Sequence, residues 1–185
     1  PAGVDAVLAG RAARAVAAAG LFRTFVPKEY GGHGAGLIAL ARVTEELARA
    51  DSGFGVAFAV NALGSFPILV GGTEEQKKRW LPPIARGEKM VAFCLSEKFA
   101  GSDAGGLSVR ATEDGDDYVI CGEKKWTTNG GVADIYSVFA VTDPGSSPGP
   151  GCSSASPASR PSACRAVASR ASRHGGWSSS SSPRC

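Results

Sequence analysis

The spacing of apolar residues changes once along the chain, near Lys89, and this change is what most constrains the fold. Before Lys89 apolar residues recur at three and four positions, which predicts helices. After it, short apolar runs predict strands. The predicted strands span residues 90–95, 108–112, 118–120 and 135–141. Because helices precede strands without alternation, we predict an α+β fold, with an N-terminal α-helical part over residues 1–88 and a strand-rich part over residues 89–145.

The helical half carries several boundary signals. The predicted helices span residues 4–19, 37–50 and 53–70. An extended segment is expected over residues 21–27. Thr73 and Gln76 have the spacing of a capping box, which predicts the start of a fourth, short helix. We expect Pro67 to break the third helix and Pro82 to end the fourth, because proline removes a helical hydrogen bond.

The last 35 residues differ in composition from everything before them. Residues 151–185 contain 12 serines and five arginines but no acid, and their only large apolar residues are one valine and one tryptophan. Such a segment cannot bury enough apolar area to offset its loss of backbone entropy, so we predict that residues 146–185 are disordered. Three origins are open: a nucleic-acid-binding arm, a natural linker, or translation in a wrong frame. We favour the last, because the change is abrupt and these residues have GC-rich codons.

Composition also narrows the expected partners and compartment. Residues 1–150 hold 15 basic and 17 acidic side chains, so all excess positive charge lies in the tail and no nucleic-acid partner is expected. There is no uninterrupted run of about 18 apolar residues, which argues against a membrane-spanning helix. The N-terminus does not resemble a secretory signal. The five cysteines form no C-x-x-C pair, so no metal site is predicted and the cytoplasm is the simplest location.

The segment after the first predicted strand, residues 94–106, contains the residues best suited to chemistry. It combines hydroxyl side chains with several glycines, which leave backbone N–H groups accessible. Such a loop suits a ligand rich in hydrogen-bond acceptors, for example a phosphate or the edge of a heterocycle. Taken alone, it is equally compatible with a polar turn.

Within this segment, residues 95–106 read LSEKFAGSDAGG, which resembles the diagnostic L-S-E-x-x-A-G-S-D-x-x-G run of the acyl-CoA dehydrogenase family. Further collinear pieces agree: LFRTFVPKEYGG at residues 21–32, GTEEQKKRWL at 72–81 and GEKKWTTNGG at 122–131. The resemblance covers residues 20–143 and implies an N-terminal α-helical domain over residues 1–88, a partial antiparallel β-barrel domain over residues 89–145, and FAD as the cofactor. Lys98 and Phe99 depart from the residues common in the family at their positions.

The resemblance also implies individual site residues. The residues expected to bind the cofactor are Phe93, Cys94, Leu95, Ser96, Gly101, Ser102, Trp126, Thr127 and Thr128. Among these, Leu95 and Ser96 would meet the flavin ring and Gly101 the phosphates. Ser102 would contact the phosphates and also bind the acyl-CoA substrate. Trp126 would pack against the ring and Thr128 would hydrogen-bond near its N5 atom.

The reaction that the resemblance implies is oxidation of a saturated acyl-CoA to the 2,3-enoyl-CoA by hydride transfer to FAD, in fatty acid or amino acid catabolism. An electron-transfer flavoprotein is the expected acceptor, and the complete protein is expected to be a homo-oligomer. In the family the catalytic base lies on a C-terminal domain, so we expect no catalytic residue in this chain and no turnover by it alone. Glu97 and Asp103 are predicted to organise their loop. Two alternatives stay open: a flavin-dependent monooxygenase or nitroalkane oxidase relative, and a non-catalytic flavin- or acyl-CoA-binding protein.

Overall fold

The computed structural model describes residues 13–114, 117–142 and 164–170. A helix that carries no label below precedes the others and is described from residue 13 to residue 18. The long helices are α1 (Gly36–Ala50), α2 (Ser52–Gly71) and α3 (Glu74–Ala85). The strands are β1 (Val91–Cys94), β2 (Arg110–Asp114), β3 (Asp117–Cys121), β4 (Ile135–Val141) and β5 (Cys164–Arg170). The α+β class and the order of helices before strands are confirmed.

Helix α2 is the central element of the helical part, with α1 on one side and β1 on the other. Its buried residues are Gly55, Phe58, Asn61, Ala62, Gly64, Ser65 and Ile68. The helix has 20 residues and contains an 18-residue window with a mean hydropathy of 1.7, so by length and composition alone it could cross a membrane. The prediction of no membrane-spanning helix rested on the absence of an uninterrupted apolar run, and Asn61 and Ser65, both buried, interrupt the apolar residues of α2. The Oδ1 atom of Asn61 accepts a hydrogen bond from the Val91 N–H, as expected of a core helix that packs on a sheet.

Prolines do not end these helices where the sequence predicted. Pro67 lies inside α2, and Pro82 lies inside α3, which continues to Ala85. Each proline removes one backbone hydrogen bond, but the residues that follow are held by burial: Ile68 in α2 and Ile84 in α3 are both in the core. Tertiary packing therefore outweighs the local signal.

Residues 21–27, predicted to be extended, contain a short 3-10 helix, Leu21–Thr24, and a second one follows at Lys28–Tyr30. Gly20 adopts a left-handed conformation (φ 71°) that ends the preceding helix and turns the chain. The Thr24 hydroxyl then donates to the Leu21 carbonyl at 2.7 Å, which closes the turn. In contrast, the predicted capping box is confirmed, since Thr73 and Gln76 exchange both of its hydrogen bonds.

The strands form one mixed sheet in the order β1-β4-β2-β3, with β5 also paired to β4. Strands β1 and β4 run parallel, as does the single contact between β2 and β4, whereas β2–β3 and β4–β5 are antiparallel. The predicted antiparallel barrel is therefore corrected to a mixed sheet. The connection from β1 to β4 is long enough to permit a parallel crossover, because the β2–β3 hairpin lies within it.

Strand β5 lies within the tail that was predicted to be disordered. Its seven residues pair with β4 along the whole length of that strand. An edge strand offers unpaired N–H and C=O groups to any extended segment, so pairing does not require apolar side chains. The structure thus describes this one segment of the tail as a strand, and the rest of residues 146–185, together with the proposed change of frame, falls outside the described residues.

Side chains of β1 and β4 alternate between two faces of the sheet. On the face toward α2, the Phe93 and Phe139 rings lie 5.0 Å apart and the Ser137 hydroxyl donates to the Gly64 carbonyl at 2.6 Å. On the opposite face, Cys94 and Val138 share a small apolar cluster. The sheet therefore presents two distinct surfaces at the end of β1, where the candidate site lies.

Candidate functional site

Two segments meet beyond the end of β1: the loop that leaves the strand and the segment that follows β3. The backbone N–H of Lys125 donates to the Ser96 carbonyl at 2.8 Å. The ammonium group of Lys124 donates to the Leu95 carbonyl at 2.9 Å. The two segments are far apart in sequence, and these bonds hold them side by side.

Glu97 organises the first of these segments. Its carboxylate is buried and accepts hydrogen bonds from the Ser108 N–H at 2.7 Å, the Ser108 hydroxyl at 2.6 Å and the Val109 N–H at 3.0 Å. Lys124 completes the set with an ion pair of 2.7 Å. Burial by itself raises the pKa of Glu97, but the bonds from Lys124, Ser108 and Val109 outweigh this effect and lower the pKa to about 2. This geometry supports the predicted organising role and gives the carboxylate no free lone pair aimed at a ligand.

Residues 126–128, which we call the arch, project from the second segment. Trp126 has a left-handed backbone (φ 57°) and its side chain is 89% exposed. Asn129, directly after the arch, is also left-handed (φ 65°). Non-glycine residues rarely adopt this conformation, and when they do they are often found at functional sites.

The arch borders a cleft of about 130 Å³ on the face of the sheet toward α2; we call it the arch cleft. It is lined by Val60, Leu63, Phe93, Leu95, Ser96, Lys125, Trp126 and Thr128. The lining combines aliphatic and aromatic side chains with two hydroxyl residues and a lysine. Such a lining suits a flat heterocycle with polar atoms along one edge.

Five of the nine predicted cofactor residues line this cleft: Phe93, Leu95, Ser96, Trp126 and Thr128. Cys94 and Thr127 instead line a second cleft, of about 260 Å³, on the opposite face of the sheet. Burial raises the pKa of the Cys94 thiol, in keeping with a small apolar core residue rather than a nucleophile. Gly101 and Ser102 are exposed in the loop and line neither cleft.

Three lining residues were not predicted: Val60 and Leu63 of α2, and Lys125. Leu63 remains 42% exposed although it lies in the most apolar helix of the described chain. Hydropathy cannot distinguish a cleft wall from a core position, so the sequence held no signal for the two helical residues. Lys125 could have been predicted as a lining residue, because it is adjacent in sequence to Trp126.

Family comparisons agree with this architecture. Residues 6–88 match the family described as acyl-CoA dehydrogenase, N-terminal domain, and residues 92–156 match acyl-CoA dehydrogenase, middle domain. Together these two matches extend over most of the chain. The boundary between them falls just before β1, where the structure changes from helices to the sheet.

Individual relatives carry the same family name. A probable acyl-CoA dehydrogenase of Mycobacterium leprae is 46% identical over 130 residues, which are 70% of this chain and 33% of the relative. The acyl-CoA dehydrogenase from Bacillus anthracis, solved with FAD, superposes with a TM-score of 0.68 at 39% identity, over 73% of this chain and 24% of that one. Butyryl-CoA dehydrogenase from Megasphaera elsdenii gives 0.68 at 36% identity, over 73% and 37%. The chain thus spans 24–37% of the lengths of these relatives, and it belongs to the acyl-CoA dehydrogenase family.

Proposed function

We propose that the arch cleft holds the flavin ring of FAD and that the protein serves the oxidation of a saturated acyl-CoA to its 2,3-enoyl-CoA. The observation that carries this proposal is the convergence of two family segments, 93–96 and the arch, on one cleft. They are separated by a hairpin in sequence and joined by the bond from Lys125 to Ser96. The family relation and a relative solved with FAD support the choice of cofactor.

The residues present fit such a group. Phe93 and Leu95 offer an apolar surface to one side of a ring, and the exposed Trp126 offers a large aromatic face. The hydroxyls of Ser96 and Thr128 supply hydrogen bonds for polar atoms at the ring edge. When bound, FAD supplies the acceptor for the hydride that leaves the β-carbon of the acyl group.

We assign Thr128 the role of a donor near the atom that receives this hydride. With FAD bound, the Thr128 hydroxyl would donate to the ring edge and stabilise the negative charge that hydride transfer places there. Gly101 and Ser102 lie in an exposed loop and are proposed to meet the phosphates. Ser102 is further proposed to contact the acyl-CoA. Cys94 and Thr127 line the second cleft, so the proposal gives them no direct contact with the ring in the arch cleft.

The catalytic base is proposed to lie outside this chain. Glu97 is unsuitable, because its carboxylate is buried, accepts four hydrogen bonds and has a pKa of about 2. The chain alone is therefore expected to bind FAD without turning over substrate. An electron-transfer flavoprotein as acceptor, a homo-oligomeric assembly and a cytoplasmic location complete the proposal.

Thr128→Val tests the assignment because it keeps the shape and removes the hydroxyl. In a protein of the relatives' full length, reduction of bound FAD by acyl-CoA should slow by up to about 10²–10³-fold, the cost of removing one preorganised donor. Stopped-flow bleaching of the oxidised flavin measures this rate. Thr127→Val should have a much smaller effect, because Thr127 lines the opposite face.

Thr44→Val is the matched control, since the Thr44 hydroxyl only donates to the Leu40 carbonyl within α1. If Thr128→Val and Thr44→Val retain FAD and show equal rates of flavin reduction, the Thr128 hydroxyl does not contribute to the site. An absence of FAD binding in every form, wild type included, would refute the proposed function itself.

A further inference from the structure

The arch is held at both of its ends by side chains that reach to other elements. Before it, Lys124 donates to the Leu95 carbonyl and pairs with Glu97. After it, the Nδ2 atom of Asn129 donates to the Ala57 carbonyl of α2 at 3.0 Å and to the Val91 carbonyl of β1 at 3.3 Å. Asn129 is therefore the point at which the central helix, the first strand and the arch are joined.

Asparagine suits this position for two independent reasons. Its amide nitrogen carries two hydrogens, which matches the two carbonyls that it meets. Its left-handed backbone (φ 65°) is better tolerated by asparagine than by most other residues. In this conformation its own carbonyl accepts the N–H groups of Val132 at 3.0 Å and Ala133 at 2.8 Å, which turns the chain toward β4.

We propose that Asn129 is a positioning residue: it anchors the arch to α2 and β1, so that Trp126 and Thr128 stand at the cleft before any ligand binds. Asn129 does not line the cleft and acts through the arch. The consequence for FAD rests on the proposed function. The anchoring itself is a property of the chain without ligand, so the two can fail separately.

Two substitutions separate backbone conformation from anchoring. Asn129→Gly keeps the left-handed conformation and removes both side-chain bonds. Asn129→Asp keeps the shape but replaces the donor by a carboxylate oxygen that faces two carbonyls, so it should loosen the arch more. Thr44→Val, which removes one side-chain bond from the distant helix α1, is the control.

The first readout is hydrogen exchange of the FAD-free chain. Amides of Lys125, Gly130, Val132 and Ala133 are hydrogen-bonded in and beside the arch. In Asn129→Gly their exchange should accelerate by on the order of tenfold, as expected for the loss of two hydrogen bonds that hold a local element. In Thr44→Val the same amides should exchange at the wild-type rate. Wild-type exchange in both Asn129 variants would overturn the anchoring.

The second readout is FAD titration, followed by the visible absorption band of the bound flavin. The Asn129 variants should bind FAD on the order of tenfold more weakly, with a band shifted toward that of free FAD. Faster exchange with an unchanged affinity and band would make Asn129 structural only and overturn its positioning role. If no form binds FAD, the proposed function fails, and the exchange measurement still decides whether Asn129 anchors the arch.

Discussion

Replacing Lys124 by methionine is a direct test of how the site is held together. The Lys124 and Glu97 side chains are only 11% and 3% exposed, and their charged atoms lie 2.7 Å apart. Lowering the pKa of Glu97 from 4.5 to about 2 corresponds to about 3 kcal/mol of stability at neutral pH. Breaking a buried pair by removing one partner costs about 3–5 kcal/mol. Because Glu97 keeps its three bonds from Ser108 and Val109, we expect a loss of about 2–3 kcal/mol.

The pH dependence gives a second, independent check on Lys124→Met. A carboxylate with a lowered pKa in the folded state contributes stability that is present above its unfolded pKa and is lost as the pH falls through the folded one. The difference between wild type and variant should therefore be largest at pH 7 and should shrink between pH 4.5 and about 2.

Urea unfolding followed by circular dichroism at several pH values measures both quantities for this substitution. The matched control is Arg49→Met, which removes the exposed pairs of Arg49 (68% exposed) with Glu45 and Glu46. It should cost less than about 1 kcal/mol. A loss in Lys124→Met no larger than that of the control, or one independent of pH, would refute the reasoning that this buried pair holds the two loops together.

Two further substitutions test the packing that positions the site. Thr73→Ala removes the capping box with Gln76 and should cost about 1 kcal/mol in urea unfolding; an unchanged midpoint would contradict the role of the cap. Gly64→Ala places a Cβ 2.6 Å from the Val91 Cγ1 and should cost about 1–3 kcal/mol by forcing α2 away from β1. Gly71→Ala, where a new Cβ meets nothing within 4 Å, should be neutral or slightly stabilising, and equal losses at the two glycines would show that α2 and β1 do not pack closely.

Local signals in the sequence predicted much of the fold. The capping box at Thr73 and the strands β1 to β4 were found because each depends on residues next to one another. The effects of Pro67 and Pro82 were misjudged, because burial of the following turns outweighs the loss of one hydrogen bond. The parallel pairing of β1 with β4 depends on contacts distant in sequence, which no local pattern contains.

For the site, too, the sequence predicted local features but not the contacts between segments that are distant along the chain. Family segments identified the loop after β1 and the arch, but they did not indicate which residues share a face. Strand alternation did contain part of that answer: Phe93 and Cys94 are neighbours in β1, so their side chains must point to opposite faces. The wall provided by Val60 and Leu63 was not predictable, because only the packing of α2 on the sheet brings it there.

The most direct test of the central claim is to map where FAD binds on the wild-type chain. Hydrogen exchange with and without saturating FAD gives this map at the level of short peptides. We expect protection at residues 93–96 and 126–128 and no change in α1, which contributes no residue to the arch cleft. Protection confined to other segments, or at the second cleft beside Tyr136 and Val138, would contradict the account.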